Sequence, residues 1–477
     1  MTVRTRFAPS PTGFLHVGSA RTALYAWLYA RKHGGKFVVR IEDTDKGREV
    51  EGAIGHMMES LKWLGIQWDE SIDIGGPYGP YIQSGRLDSY RTCALRLIDA
   101  GFAYPDPYTE EEVEAFRKAA ETEKRPFLFR DHRPETLSAW DGSQPLRFKV
   151  PTIKRFEWED AVMGTLSAGE EALDDFILIK GDGYPTYNFA HVIDDIEMKI
   201  THVMRGQEFV SSTPKFLSLY EALGEVPPVF VTLPPILGEG GNKKLSKRDG
   251  AKDILDYRRE GYLPETLVNF LALLGWSPGG DQEFFTPFGL IEAFDISRIQ
   301  RSGAQFDEDK LKHLNREHMR LLTDQEYVSR GELHATDDVR LFKAVPLLRE
   351  RSYTFSEARE MLEGELSCLF ATPELSPEQL TAKEPAERAG LTKEALEAVL
   401  GLLEALPTQL PAEAVKMALM PFADSQEALG KGGRGGVLWP TRYALSGKEK
   451  SPDPFTLISI LGTEEASSRI RAALAIL

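Results

Sequence analysis

Pro9-Ser10-Pro11-Thr12-Gly13-Phe14-Leu15-His16-Val17-Gly18-Ser19 is the stretch whose reading decides how this chain folds. The prolines restrict φ and Gly13 tolerates unusual backbone angles, so the segment reads as a shaped turn. Residues 3 to 8 before it read as a short strand, and Ala20 to Lys32 after it carries apolar and small residues at helical spacing. Strand, loop and helix in that order place His16 and Gly18 at a helix start, where free N–H groups favour a phosphate. An isolated His-x-Gly most often just caps a turn, but the whole eleven-residue string is far more specific.

Further along, Lys36 to Ile41 is a β-rich run that ends on Glu42-Asp43-Thr44-Asp45, and Ile54 to Leu64 is amphipathic at helical spacing. This alternation predicts a parallel α/β sheet with its site at the carboxyl ends of the strands. From about Arg86 to Tyr184 the pattern is mixed, with helices at 90–100 and 110–123 and strands at 146–150 and 176–180, and reads as an insertion. The α/β pattern resumes at Thr201 to Met204 and Phe230 to Thr232. After about Ala251 helical patterns follow one another, among them 263–274, 309–321, 337–348 and 393–406. No internal repeat is visible.

At 477 residues the chain exceeds the size of one hydrophobic core, and hydrophobic residues at 42 % and charged residues at 27 % are those of a globular protein. A formal net charge of -16 weighs only slightly against a nucleic-acid partner, because basic grooves can sit on an acidic chain. Cys93 and Cys368 stand far apart with no Cys/His pair at ligand spacing, which supports neither a disulfide framework nor a zinc site. Without an apolar signal core or a run of about 20 apolar residues, a cytoplasmic protein with no membrane partner is expected.

A second basic motif, Lys244-Leu245-Ser246-Lys247-Arg248, begins at the end of a glycine-rich stretch at 238–244 that reads as a loop. A charge cluster alone is usually a solvated loop, yet lysines three apart around a serine suit a clamp that neutralises charge growing on a pyrophosphate. The two motifs together resemble the paired HIGH and KMSKS signatures of class I aminoacyl-tRNA synthetases. Arg6 to Gly13, Arg40 to Asp45, Gly183 to Asn188 and Thr201 to Gly206 narrow the resemblance to the glutamyl branch of that family, nearly end to end.

The resemblance implies an α/β fold: a split Rossmann-like nucleotide-binding domain with an α+β insertion, followed by an all-α C-terminal anticodon-binding half. The expected divisions are 1–85 and 191–250 for the two catalytic halves, 86–190 for an acceptor-binding insert and 251–322 for a stem-contact helical domain. Two anticodon-binding helical domains are expected at 323–372 and 373–477. The implied reaction joins L-glutamate to tRNA(Glu) through glutamyl-adenylate, with ATP and Mg2+, by an enzyme that is habitually a monomer.

By the same resemblance His16, Gly18, Lys244 and Lys247 are the catalytic candidates, and ATP lies among Pro9, Ser10, Thr12, Gly13, Ser19, Glu208, Leu237, Ser246 and Arg248 as well. Glutamate is expected among Arg6, Ala8, Ser10, Glu42, Tyr187 and Arg205. The chemistry fits, since guanidinium forks grip carboxylates and a carboxylate such as Glu42 suits an ammonium. For tRNA, Arg349 and Arg351 suit an anticodon site, and Arg434, Trp439 and Arg442, with Tyr443 nearby, suit phosphate contact and base stacking.

Tyr104-Pro105-Asp106-Pro107 stands where some relatives carry a Cys-x-Cys motif, so no zinc is expected. Gln207-Glu208-Phe209 departs from the more usual acidic-acidic-His run beside the nucleotide. Competing readings are a glutaminyl-type synthetase, whose anticodon part would be β-rich, and a non-tRNA nucleotidylyltransferase, which would not need so long a helical half. A non-enzymatic RNA-binding protein would be expected to have lost His16 or the lysine motif.

Overall fold

The computed structural model describes residues 2–477 except 137, 239, 242, 246–251, 385–388 and 429–432, and gives the backbone alone at 427 and 428. The chain separates into two compact units, one of residues 1–258 and 263–314 and one of 259–262 and 315–477.

The first unit is built on the strand that precedes the proline turn. Strand β1 (Arg4–Phe7) is buried throughout and leads into helix α1 (Val17–Lys32). Strand β2 (Lys36–Val39) returns parallel to β1, from Arg4 opposite Lys36 to Phe7 opposite Val39. Gly35 is required where the two approach, because a Cβ there would lie 2.3 Å from the Val3 carbonyl oxygen. Helix α2 (Ala53–Trp63) follows, and then α3 (Leu87–Asp99), β3 (Ala103–Pro105), α4 (Glu110–Thr122) and β4 (Leu146–Phe148).

Strands β5 (Phe156–Asp160), β6 (Gly164–Ala168) and β7 (Ile177–Ile179) lead to helix α5 (Tyr187–Glu197). After α5 come β8 (His202–Gly206), α6 (Thr213–Leu223), β9 (Val229–Leu233) and β10 (Ile236–Leu237). The main sheet runs β2-β1-β8-β9-β5-β6, parallel except for the antiparallel β5–β6 pair, and β3-β4-β7 form a separate antiparallel sheet. The expected α/β architecture with an inserted α+β segment is therefore present.

One part of the expected insertion is not separate. The β5–β6 hairpin joins the main sheet beside β9, held where Asp160 accepts hydrogen bonds from the Thr232 hydroxyl at 2.6 Å and from the backbone N–H groups of Val162 and Met163. In the separate sheet, Asp106 accepts from Arg147 at 2.7 Å, while Asp175 is shared by Tyr104 and Arg133.

Helices α7 (Ile254–Arg259), α8 (Pro264–Leu273), α9 (Pro287–Ala293) and α10 (Glu308–Arg320) come next. They are interrupted by one short strand, β11 (Ala304–Gln305), which pairs with β10. From residue 315 on, the described residues of the second unit are helical or irregular, as expected for an all-α half. Among its described residues the later helices include α12 (Asp338–Arg351), α15 (Leu391–Glu404), α17 (Gly433–Ser446) and α19 (Thr463–Leu474).

Beneath the carboxyl ends of the central strands lies a buried ionic network. Arg40, which follows β2 and is fully buried, reaches Glu42 at 3.0 Å, Asp195 at 2.8 Å and Asp194 at 3.4 Å. Asp194 also takes Arg86, Gln83 and the Tyr90 hydroxyl, while Asp195 takes Arg6 at 3.3 Å. The network thereby joins β1, the end of β2, α3 and α5. Replacing Arg40 by Met would leave three buried carboxylates short of a cation. Arg40→Met is expected to destabilise the first unit by about 3–5 kcal/mol, read as an earlier denaturant midpoint of its unfolding transition.

Candidate active site

Where strand order reverses, a crevice opens at the carboxyl ends of a parallel sheet, and here β1 lies between β2 and β8. A cleft of about 580 Å³ occupies that place. Arg6, Ala8, Ser10, Glu42, Tyr187 and Arg205 all line it. So do Pro9, Thr12, Gly13, His16, Gly18 and Ser19 of the turn, and Glu208 and Lys244 from the opposite side. Leu237 does not line it; its neighbour Ile236 does, while the backbone of Leu237 pairs with Gln305 and bridges to Lys244. Ser246, Lys247 and Arg248 lie outside the described residues.

His16 is the N-cap of α1, and its Nδ1 accepts from the Gly18 N–H at 3.2 Å. A neutral ring that accepts at Nδ1 carries its proton on Nε2, which lies 3.3 Å from the Ser19 hydroxyl. Gly18 makes room for this ring, because a Cβ would sit 3.1 Å from His16 Cε1. The first turn of α1 contains no acidic residue, so the positive end of the helix dipole faces the cleft uncompensated by the helix itself.

Deeper in the cleft the charges are arranged in opposition. Arg205, at the end of β8, is buried, with Nη2 on the Thr213 hydroxyl at 2.6 Å and its guanidinium carbon 4.6 Å and 5.0 Å from the rings of Phe230 and Phe216. Among the described residues its buried Nε and Nη1 find no hydrogen-bond partner. Burial holds this guanidinium down to about 10. Arg6 is buried as well, held by Asp195 and by the Met204 carbonyl oxygen at 3.2 Å.

Burial pushes the Glu42 carboxyl up to about 7, against the pull of Arg40 and then Arg6. Tyr187 has its phenol pushed up by burial first and by Glu42 second. The Tyr187 ring stacks on His191, with centroids 4.6 Å apart, and burial keeps that imidazole neutral, its pKa lowered to about 3.

At the mouth, Lys244 and Glu208 form an exposed ion pair at 3.3 Å, of a kind that breaks at little cost when a polyphosphate arrives. No group of three or more His, Cys, Asp or Glu side chains gathers as a metal cage among the described residues. The carboxylates of the cleft, Glu42 and Glu208, are engaged by Arg40 and Lys244. A hard divalent cation in this cleft fits as one carried by phosphate oxygens.

Sequence reading missed the residues behind the lining. Arg40, Asp194 and Asp195 lie within or near motifs that were recognised, but only folding shows that they converge. Thr213 and Phe216, on α6, carried no sequence signal at all.

The second unit uses its arginines internally. Arg349 pairs with Asp324 at 2.9 Å, Arg351 with Glu365 at 3.2 Å and Arg434 with Asp424 at 2.5 Å. Trp439 donates to the Gln379 carbonyl oxygen, and its ring is flanked by Arg442 and Lys383. Arg442 donates to the Glu449 carbonyl oxygen at 2.7 Å. Tyr443 is buried with Val437, Pro440 and Ala444 on the inward face of α17, so it is a core residue and not a stacking surface.

Residues 2–313 match the family model described as tRNA synthetases class I (E and Q), catalytic domain, and residues 311–474 match the model described as anticodon binding domain. The chain is 43% identical to the glutamate–tRNA ligase of Carboxydothermus hydrogenoformans, over 98% of this chain and 99% of the relative. It is 40% identical to that of Anaeromyxobacter sp. strain Fw109-5, over 99% of each. Among solved structures, the glutamate–tRNA ligase of Elizabethkingia meningosepticum in complex with its amino acid superposes with a TM-score of 0.86 at 34% identity, covering both chains completely. With the cleft, the paired signatures and end-to-end similarity in agreement, this chain belongs to the bacterial-type class I glutamate–tRNA ligases.

Proposed function

We propose that this ligase activates L-glutamate with ATP in the cleft, giving glutamyl-adenylate and pyrophosphate, and then passes glutamate to the 3′ end of tRNA(Glu). The observation that carries this reading is charge complementarity. Two buried guanidiniums and one buried carboxylate line the inner cleft, matching the two carboxylates and one ammonium of glutamate. Arg6 with the Tyr187 hydroxyl takes the side-chain carboxylate, Arg205 takes the second carboxyl end, and Glu42 takes the ammonium. Ala8 and Ser10 form the adjoining wall. Glutamine would turn amide donors toward donors, leaving buried polar groups unpaired.

An oxygen of the α-carboxylate attacks the α-phosphorus of ATP, and the bond from that phosphorus to the bridging oxygen breaks as pyrophosphate leaves. The terminal ribose hydroxyl of tRNA then attacks the acyl carbon, AMP departs and the hydroxyl proton is lost. Positioning and charge stabilisation supply most of the rate in such displacements. The protonated Nε2 of His16 and the α1 N-terminus face the α-phosphate, with Pro9, Thr12, Gly13, Gly18 and Ser19 shaping the approach. Lys244, released from Glu208, and Lys247 with Ser246 and Arg248 neutralise the leaving phosphates. Mg2+, arriving with ATP as part of the substrate, would supply further neutralisation of phosphate charge beside Lys244.

The insert at 86–190, less its β5–β6 hairpin, would meet the acceptor end of the tRNA, and 251–322 its stem. The helical segments 323–372 and 373–477 would meet the anticodon arm, with Arg349, Arg351, Arg434 and Arg442 exchanging internal carboxylates or carbonyls for phosphates. Trp439 would shape this face by holding Arg442. No described helix is long and apolar enough to cross a membrane. The cytoplasm, with the protein acting as a monomer, is the setting this reaction calls for.

The deciding assay is pyrophosphate exchange with each amino acid, with and without tRNA. Exchange with glutamate is expected, and its absence under every condition would end this reading. Arg205→Ala should raise KM for glutamate about ten- to a hundredfold, the value of a lost charge-assisted pair, and an unchanged KM would remove Arg205 from the site. Lys247→Ala should lower kcat with little change in KM for glutamate, measured in the same exchange.

Glu42 must be ionised to hold an ammonium, and it loses its proton as pH rises through about 7. Hence kcat/KM for glutamate is expected to climb with pH to a plateau above that value, whereas the Glu42→Gln profile should be low and lack the inflection.

A further inference from the structure

The described residues flanking the lysine motif are tied to the proline turn by a side chain that no recognised signature contains. His56, on the first turns of α2, does not line the cleft. Its ring stacks on Phe14, with centroids 4.3 Å apart and planes at 17°. Its Nδ1 accepts from the Leu15 N–H at 3.4 Å, and its Nε2 lies 3.3 Å from Asp253 Oδ1. A ring that accepts at Nδ1 must donate from Nε2 if neutral, so the imidazole is oriented as a bridge: Leu15 N–H to Nδ1, and Nε2–H to carboxylate.

Both ends of this bridge matter for geometry. Leu15 immediately precedes His16, and its carbonyl oxygen accepts from the Ile254 N–H at 2.9 Å. Asp253 forms an antiparallel bridge with His16, and its Oδ1 also accepts from the Asp256 N–H at 3.0 Å at the start of α7. Arg258 adds a second tie from α7 to α2, through Glu59 at 2.9 Å. The backbone alone would set residues 14–16 beside residues 253–254. What it does not fix is their depth relative to α2, whose next residue, Met57, does line the cleft.

We infer that His56 is a positioning residue for adenylate formation: by bridging Leu15 and Asp253 it fixes the His16 turn in register with the segment that follows the lysine motif. This rests on the ligase reading above and deepens it. Its effect belongs to the phosphate half of the cleft and not to the glutamate half, because Arg6 and Glu42 are held by the Arg40 network and Arg205 by Thr213, none of which His56 touches. The signature of the role is therefore a split, with kcat for adenylation falling while KM for glutamate holds.

The test uses the full chain with tRNA, in pyrophosphate exchange with glutamate. His56→Phe retains a ring against Phe14 but loses the hydrogen bonds to Leu15 and Asp253, along with the 3.4 Å contact of Nδ1 with the Ser60 hydroxyl on α2 itself. Its kcat is expected to fall about ten- to a hundredfold, the scale of a small misplacement of reacting groups, with KM for glutamate within about twofold of the parent. His56→Asn, whose amide oxygen can accept from the Leu15 N–H, should recover part of that loss. Combining His56→Phe with Asp253→Ala should cost no more than the larger single loss, since both break one bridge.

A kcat unchanged in His56→Phe would overturn the inference. So would a fall matched by an equal rise in KM for glutamate that His56→Asn fails to relieve, or single losses that multiply in the double variant. Failure of the parent protein to exchange with glutamate would instead overturn the ligase reading, so the two failures are distinguishable.

Discussion

A fully buried guanidinium, that of Arg40, is the constraint on which the rest of the catalytic unit depends. A cation removed from water needs opposite charge around it, and Arg40 has Glu42 and Asp195 hydrogen-bonded to its two terminal nitrogens and Asp194 as a third carboxylate within ion-pair distance. Each of those carboxylates then has a second duty. Asp195 holds Arg6, Asp194 holds Arg86 and Tyr90, and Glu42 faces the cleft. The ends of β1 and β2 are thereby fixed to α3 and α5, and Arg6 and Glu42 in the cleft are fixed with them.

This arrangement separates two tasks that share one cleft. The inner part is lined by buried, opposed charges, and in the proposed reading it selects a small dicarboxylic amino acid. The outer part is made of helix N–H groups, an imidazole and an exposed Lys244–Glu208 pair, which in the proposed reading exchange partners for phosphates. Selection by unpaired buried donors is strong but slow to adapt, whereas charge neutralisation at an exposed mouth is adaptable and little selective. Within the inner part burial raises the proton affinity of Glu42, and in the proposed reading an incoming ammonium favours its ionised form.

Much of this was legible in the sequence, for definite reasons. The proline turn, the α1 helix and the strand ends carry local signals, and Arg6, Glu42, Tyr187 and Arg205 lie inside contiguous motifs. Other features depended on contacts between residues far apart in the chain. The β5–β6 hairpin sits in the inserted segment but belongs to the main sheet, because Asp160 meets Thr232. Asp194 and Asp195 stand outside every recognised motif, and only the fold brings Arg40 within reach of them. Tyr443 lay in a basic stretch that suggested a nucleic-acid face, yet helical spacing turns it inward with Val437 and Ala444. Leu237 lies one position beyond Ile236, the last of four consecutive residues that line the cleft.

The central claim is that the buried charges of the inner cleft select glutamate. It is tested most directly by equilibrium titration of the full chain with a non-hydrolysable sulfamoyl analogue of glutamyl-adenylate and with its glutaminyl counterpart. These two ligands differ only in the side-chain carboxylate, so the phosphate half of the cleft cancels from the comparison. Tighter binding of the glutamyl analogue by about a hundredfold or more is predicted, because the amide leaves buried donors facing donors. Equal affinity for the two would contradict the account.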